Sequence, residues 1–215
     1  NHANALHTRY AYVAPGSAGG VLAASPSEAK QHPFGTFGEV LGALGGHRQD
    51  GPVVIRLQPD VMHVIGPQLP AVDSGEFPLC VLPDGMRATV VEDATRQTGT
   101  LPSRIRWERI RFRVQHGGSL FVGSATGPDA FQVFAQCEFD NAGREEPRRY
   151  FHQVGVCFVH ECTSNWRAGF AAADRSRHTV FHVVGSRGFA HGSVHSCLGS
   201  HCNGQLRARN AVGDQ

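Results

Sequence analysis

Lysine is almost missing from this sequence. Lys30 is the only one among 20 Lys and Arg residues, so arginine carries nearly all the positive charge. The bias runs along the whole chain and reads first as composition. Its functional counterpart is that guanidinium forks bind carboxylates and sugar hydroxyls well. The formal net charge is only +2, and no basic stripe with interleaved aromatics occurs, which removes the electrostatic case for nucleic acid. No run of about 18 apolar residues exists, so no segment reads as a membrane-spanning helix. The chain begins at Asn1 with neither Met nor an apolar leader, which predicts a processed or excised chain. A Gly-x-Ser-x-Gly elbow is also missing, which argues against a serine hydrolase. Gly45-Gly46 and Gly117-Gly118 lack the strand-to-helix context of a phosphate loop and read as turns.

What is present is a repeat. Trp107-Glu-Arg-Ile-Arg-Phe112, Phe134-Ala-Gln-Cys-Glu-Phe-Asp-Asn141, Val159-His-Glu-Cys-Thr-Ser-Asn165 and Val183-Val-Gly-Ser-Arg-Gly-Phe189 are variants of one block. Taking Ile110, Cys137, Cys162 and Ser186 as equivalent gives spacings of 27, 25 and 24 residues. A period of this length centred on a short strand is the mark of a solenoid. Without helical periodicity between copies, it predicts an all-β chain, a parallel β-helix. The 26 Gly and 12 Pro suit many tight turns, and 40% hydrophobic with 18% charged residues suits a folded chain.

The organisation follows from this period. Residues 1–215 read as one domain, with 1–50 supplying an N-terminal strand and cap helix and 51–215 the coils. Tyr10 to Gly16 reads as a strand entering a turn, and Ser25-Pro-Ser-Glu and His32-Pro as further turns. Phe34, Phe37, Val40, Leu41 and Leu44 lie on one helical face, with Thr36 to Glu39 as a capping box and Gly45-Gly46 as the stop. Gly38 and Gly42 each weaken that helix by about 1 kcal/mol against Ala, so it needs packing, most naturally over an open solenoid end. Gly51–Leu57, Val61–Ile65, Leu79–Leu82, Ala88–Val91, Ser119–Val122 and Gly169–Ala172 read as strands. Residues 142–150 read as a charged loop. No cap is visible before Gln215, so the expectation is further coils beyond it, a cap outside the sequence, or self-association into a homo-oligomer.

Parity assigns faces. With Ile110, Cys137, Cys162 and Ser186 inward, one outward ladder is Arg109, Gln136, Glu161 and Gly185. A second is Arg111, Glu138, Thr163 and Arg187. Arg111 and Glu138 should pair, and Glu138 and Glu161 should share a sheet. Such a face either grips a polysaccharide or is a solvated surface of weak ion pairs. Of six cysteines, Cys157 and Cys162 should face opposite sides, whereas Cys137 and Cys162 should stack inward as free thiols. The same parity puts His160 inward beside Cys162. His160 and His182 are acid/base candidates by residue type. Cys157-x-x-His160-x-Cys162 and Cys197-x-x-x-His201-Cys202 look like metal spacings, but ligands on a strand would diverge, so no metal ligand is assigned.

The order Tyr12-Val-Ala-Pro-Gly16, Ser25-Pro-Ser-Glu-Ala-Lys30, Pro33-Phe-Gly-Thr-Phe-Gly-Glu-Val-Leu41, Asp50-Gly-Pro-Val-Val-Ile-Arg-Leu-Gln-Pro59 resembles the N-terminal region of secreted right-handed parallel β-helix proteins of the pectate-lyase-like superfamily. There a similar opening gives a first strand, a capping helix and the first coil. Asn141 and Asn165 look like that superfamily's asparagine-bearing turns. The paired-arginine signature of the lyases is missing, as is the polygalacturonase pattern, of which Ala190-His-Gly-Ser193 is the nearest echo. No catalytic residue is carried over.

The resemblance implies an extracellular or cell-surface protein that meets a polysaccharide or surface glycan. As a lyase or glycoside hydrolase it would use Glu138 with Glu161 or Asp140 as acid and base. Arg111 and Arg187 would hold the sugar, Trp166 would stack on it, and a lyase could recruit calcium through the same acids. The alternative is a non-enzymatic scaffold, adhesin, tailspike-like or self-assembling protein. Charged residues clustered with exposed aromatics in a cleft would favour the enzyme, and a flat face of ion-paired carboxylates the scaffold.

Overall fold

Alternating burial along short strands, punctuated by tight corners, dictates the architecture. A computed structural model describes residues 7–45, 50–65, 70, 72, 77–92, 104–114, 119–122, 131–141, 149–152, 156–164, 180–184 and 194–198. In chain order these hold β1 (Arg9–Val13), α1 (Pro26–Gln31), α2 (Phe37–Leu44), β2 (Val53–Leu57), β3 (Met62–Ile65), β4 (Leu79–Pro83) and β5 (Ala88–Glu92). There follow β6 (Arg104–Glu108), β7 (Ile110–Val114), β8 (Ser119–Val122), β9 (Phe131–Ala135), β10 (Glu138–Asn141) and β11 (Arg149–His152). The last are β12 (Val156–His160), β13 (Thr163–Ser164), β14 (Val180–Val184) and β15 (Val194–Leu198). The described residues are mostly strand, with short helices confined to the first 44 residues.

The strands form parallel sheets. The first runs β1-β2-β4-β6-β9-β12-β14-β15, the second β13-β10-β7-β5-β3, and β8 pairs with β11 in a third. From β2 to β13 the chain passes repeatedly from a first-sheet strand to a second-sheet strand. The registers Arg111↔Glu138, Glu138↔Thr163 and Val159↔Val183 reproduce the offsets expected from the repeat. Ser186, Gly185 and 169–172 lie outside the described residues, as does 142–148 of the expected charged loop. Arg149 and Tyr150, placed in that loop by their charge and neighbours, instead begin β11.

The inward residues of both sheets make one core. Val53 and Ile55 of β2 align with Leu79 and Val81 of β4, which align in turn with Ile105 and Trp107 of β6. The second sheet adds Ile110, Phe112 and Phe139. Phe112 stacks on Phe139 at 5.2 Å and meets Phe134 edge-on at 5.7 Å. Each buried ring contributes about 1.5–3 kcal/mol by leaving water, and each ring pair about 0.5–1.5 kcal/mol more.

Helix α2 forms as its sequence dictates. The Thr36 side chain accepts from Glu39 N–H at 3.1 Å, and Glu39 reaches back to accept from Gly35 N–H at 2.9 Å. A Cβ at Gly35 would strike the Ser17 carbonyl oxygen. Phe37, Val40, Leu41 and Leu44 are buried, and Phe37 lies 5.4 Å from Trp107, so the helix packs on the core as its glycines require. Helix α1 was not expected. Ser25-Pro-Ser-Glu read as a turn, yet Ser25 is an N-cap, Pro26 sits at the helix start and Glu28 completes the cap. Beside it, Ala23 bridges Tyr10 and Phe34 bridges Val13, covering the free edge of β1.

Candidate functional site

The outward ladder of the second sheet rests on β7 and β10. Parallel pairing puts Arg111 beside Glu138, and Arg113 beside Asp140. Arg111 Nη2 lies 3.2 Å from Glu138 Oε2, and Arg87, just before β5, donates to the same oxygen. Arg113 donates to Asp140 Oδ2 through Nε at 3.2 Å and Nη2 at 3.1 Å. These side chains are half-buried rather than sunk in a cleft. Thr163 continues the Arg111–Glu138 column. The expected Arg111–Glu138 pair is therefore present.

Glu161 is elsewhere. It was expected on the same sheet as Glu138, but it is the corner residue between β12 and β13. Arg109, Gln136 and Glu161 occupy equivalent corners with φ of 53°, 54° and 52°, the left-handed region. Each adds an extra residue to the alternation, so that two residues rather than one separate successive inward side chains and the parity is reset. That overturns the inward placement of His160: Val159 is buried, His160 and Glu161 are exposed, and Cys162 is buried. At the corner, Gln136 Nε2 donates to Glu161 Oε2 at 2.9 Å, and Arg109 Nη1 donates to Gly85 O at 3.1 Å. His160 Nε2 approaches Glu161 Oε1 at 4.0 Å. His160 and Cys162 point to opposite sides, which is why their spacing does not gather ligands.

Arg187 and Trp166 lie outside the described residues, as do Asn165 and His201; the strand position of His182 is described, its side chain is not. Among described residues, half-exposed and exposed rings sit on the outer face of the first sheet instead. Phe131 packs under Arg104, whose guanidinium carbon is 5.9 Å from the ring centre, and Phe158 lies in the Arg106 column, two strands on through Val133. The charged ladder and these rings thus belong to different sheets. A shallow cleft of about 490 Å³ lies along β1, lined by His7, Arg9, Tyr10, Leu22 and Ala23, and contains none of the expected site residues.

One polar cluster had no signal in the sequence. Lys30 Nζ lies 2.7 Å from Asp84 Oδ2, Arg56 Nη1 lies 3.3 Å from Oδ1, and the Lys30 ammonium sits 5.5 Å over the Tyr12 ring. The Lys30 hydrogen bond holds the Asp84 carboxyl below its ordinary range and the lysine above its own. Burial raises the Tyr12 hydroxyl. The sole lysine thereby clasps α1 to the first sheet. Inside, His63 is buried, its Nε2 paired with Gln58 O at 2.8 Å and its pKa lowered by burial.

Among the described residues no group of three His, Cys, Asp or Glu side chains is placed to hold a metal ion, so no calcium ligands are assigned. Among them also, no helix is long and apolar enough to cross a membrane. No family model, curated protein or solved structure matches the chain.

Proposed function

We propose that this chain is a right-handed parallel β-helix that serves as a non-enzymatic, glycan-contacting scaffold at the cell surface or outside the cell. The helical reading is supported by the chain's passage from first to second sheet, by corners of one to four residues, and by registers that repeat through both sheets.

The observation that carries the non-catalytic reading is the engagement of the carboxylates. Acid/base cleavage of a glycosidic bond needs a carboxyl free to exchange a proton with the sugar. Glu138 is gripped by Arg87 and Arg111, and Asp140 by Arg113. Glu161 lies at a corner, off the strand that carries them. Open sheets with arginines and half-exposed rings suit weak, repeated contact with sugar hydroxyls and acidic groups.

The test is a polysaccharide panel on the full-length protein. Retention on glycans would be measured together with new reducing ends and the ultraviolet absorbance of unsaturated uronates, with and without calcium. The expected result is retention without product. Calcium-dependent absorbance would establish a lyase and reducing ends alone a hydrolase, either one overturning the non-catalytic reading. No retention on any glycan would remove the carbohydrate and leave only the scaffold.

A further inference from the structure

The corner that displaces Glu161 also brings two thiols together. Cys137 and Cys162 follow equivalent corner residues, Gln136 and Glu161, on neighbouring strands. Backbone bonds bracket the pair: Gln136 N–H donates to His160 O at 2.8 Å, and Thr163 N–H to Cys137 O at 2.9 Å. Both side chains are buried, at 2% and 0% exposure, and both are free thiols. Cys137 N–H donates to Cys162 Sγ at 3.3 Å, and each thiol donates to a backbone carbonyl, Cys137 to Ala135 O at 3.4 Å and Cys162 to His160 O at 3.3 Å. Neighbouring strands lie about 4.8 Å apart, inside the roughly 4.4–6.8 Å between Cα atoms that a disulfide spans.

We infer that Cys137 and Cys162 form a disulfide stapling neighbouring strands when the chain meets a small-molecule disulfide such as oxidised glutathione. One cysteine thiolate attacks a glutathione sulfur, forming a mixed disulfide and releasing a glutathione thiolate. The second cysteine thiolate attacks the mixed disulfide at the protein sulfur, closing the protein bond and releasing the second glutathione. Two cysteine thiols are oxidised and one glutathione disulfide is reduced to two thiols. Among the described residues β13 ends the second sheet and has only two residues and two register partners, so local opening there is the shortest route to Cys162. Burial pushes the Cys137 thiol up, so the closed protein reacts slowly.

The experiment incubates the purified full-length chain with oxidised glutathione at a denaturant concentration just below its unfolding transition, then returns it to buffer. Alkylation, proteolysis and mass mapping follow. The expected result is a reducible peptide pair joining Cys137 to Cys162, loss of alkylation at both, and a folded product whose denaturation midpoint exceeds that of the reduced protein. Cys162→Ala should abolish the linked pair and leave Cys137 either alkylatable or trapped as its mixed disulfide with glutathione, which reductant releases. If that variant does not fold, the wild-type peptide map decides alone. Full alkylation of both cysteines after oxidation, pairing of either with another cysteine, or a linked product without the native fold would each overturn the proposal.

Discussion

β7 and β10 present two faces to two different environments in one register. Inward, Phe112 lies on Phe139, 5.2 Å away. Outward, one residue along each strand, Arg113 meets Asp140 at 3.1 Å. The same backbone ladder aligns both pairs, but their energetic meaning differs. The rings have left water and have close-packed neighbours, so removing one leaves a hole. The ions keep part of their water, so removing one is largely compensated. A repeated sequence can therefore show where stability sits while leaving the outer face's purpose open.

The largest effect expected from this contrast is Phe134→Ala. Phe134 is fully buried, edge-on to both Phe112 and Phe139 at 5.7 and 5.6 Å. Its truncation should cost about 3–5 kcal/mol in urea denaturation. A cost near that of a surface change would break the contrast. The corners come next. Gln136 is exposed at φ 54°, so substitution there tests backbone alone apart from its bond to Glu161. Gln136→Val should cost about 1–2 kcal/mol, because a β-branched residue resists the left-handed region, whereas Gln136→Gly should be tolerated. Equal midpoints for the two variants would mean that the corner is not left-handed in solution.

His63 makes the inner face sensitive to acid. Burial lowers its folded pKa below the unfolded value of about 6.5. The unfolded chain then binds the proton more readily, so the stability His63 contributes is full above that unfolded value. It falls as pH drops from there through the folded pKa. Stability measured across this window should slope downward toward acid, and His63→Gln should flatten that component. An unchanged slope would place the proton uptake elsewhere. Smaller again is the cap over the core: Thr36→Ala removes one N-cap acceptor and should cost about 1 kcal/mol by the same denaturation assay.

The inner face was legible because burial writes itself into period and spacing. The match of Ile110, Cys137 and Cys162 gave the true registers, and the inward stack of Cys137 and Cys162 followed. Helix α2 was legible because Thr36, Glu39 and its apolar face agree. Strand parity failed at His160 because the left-handed corners are filled by Arg109, Gln136 and Glu161, none of them the glycine or asparagine that signals such a backbone. Helix α1 was hidden by Pro26, which opens a helix as readily as it makes a turn. On the outside, the Arg111–Glu138 pair could be counted from the repeat. The Lys30–Asp84 clasp could not, since a helix outside the period supplies one partner.

The smallest expected effect bears most directly on function. A double-mutant cycle of Arg113→Ala and Asp140→Ala isolates the coupling of that pair. Side-chain exposures of 34% and 17% predict a coupling of at most about 1 kcal/mol, weakened by salt. Under the proposed glycan contact, running the same cycle on retention separates two uses of the ladder. If Arg113 serves the sheet alone, both variants should lose the same small stability and retain glycans as the parent does. If the guanidinium also meets the ligand, Arg113→Ala should weaken retention while Asp140→Ala, which frees the arginine, should strengthen it. Opposite signs in binding beside equal signs in stability would show that a residue holding the scaffold together also reads what touches it.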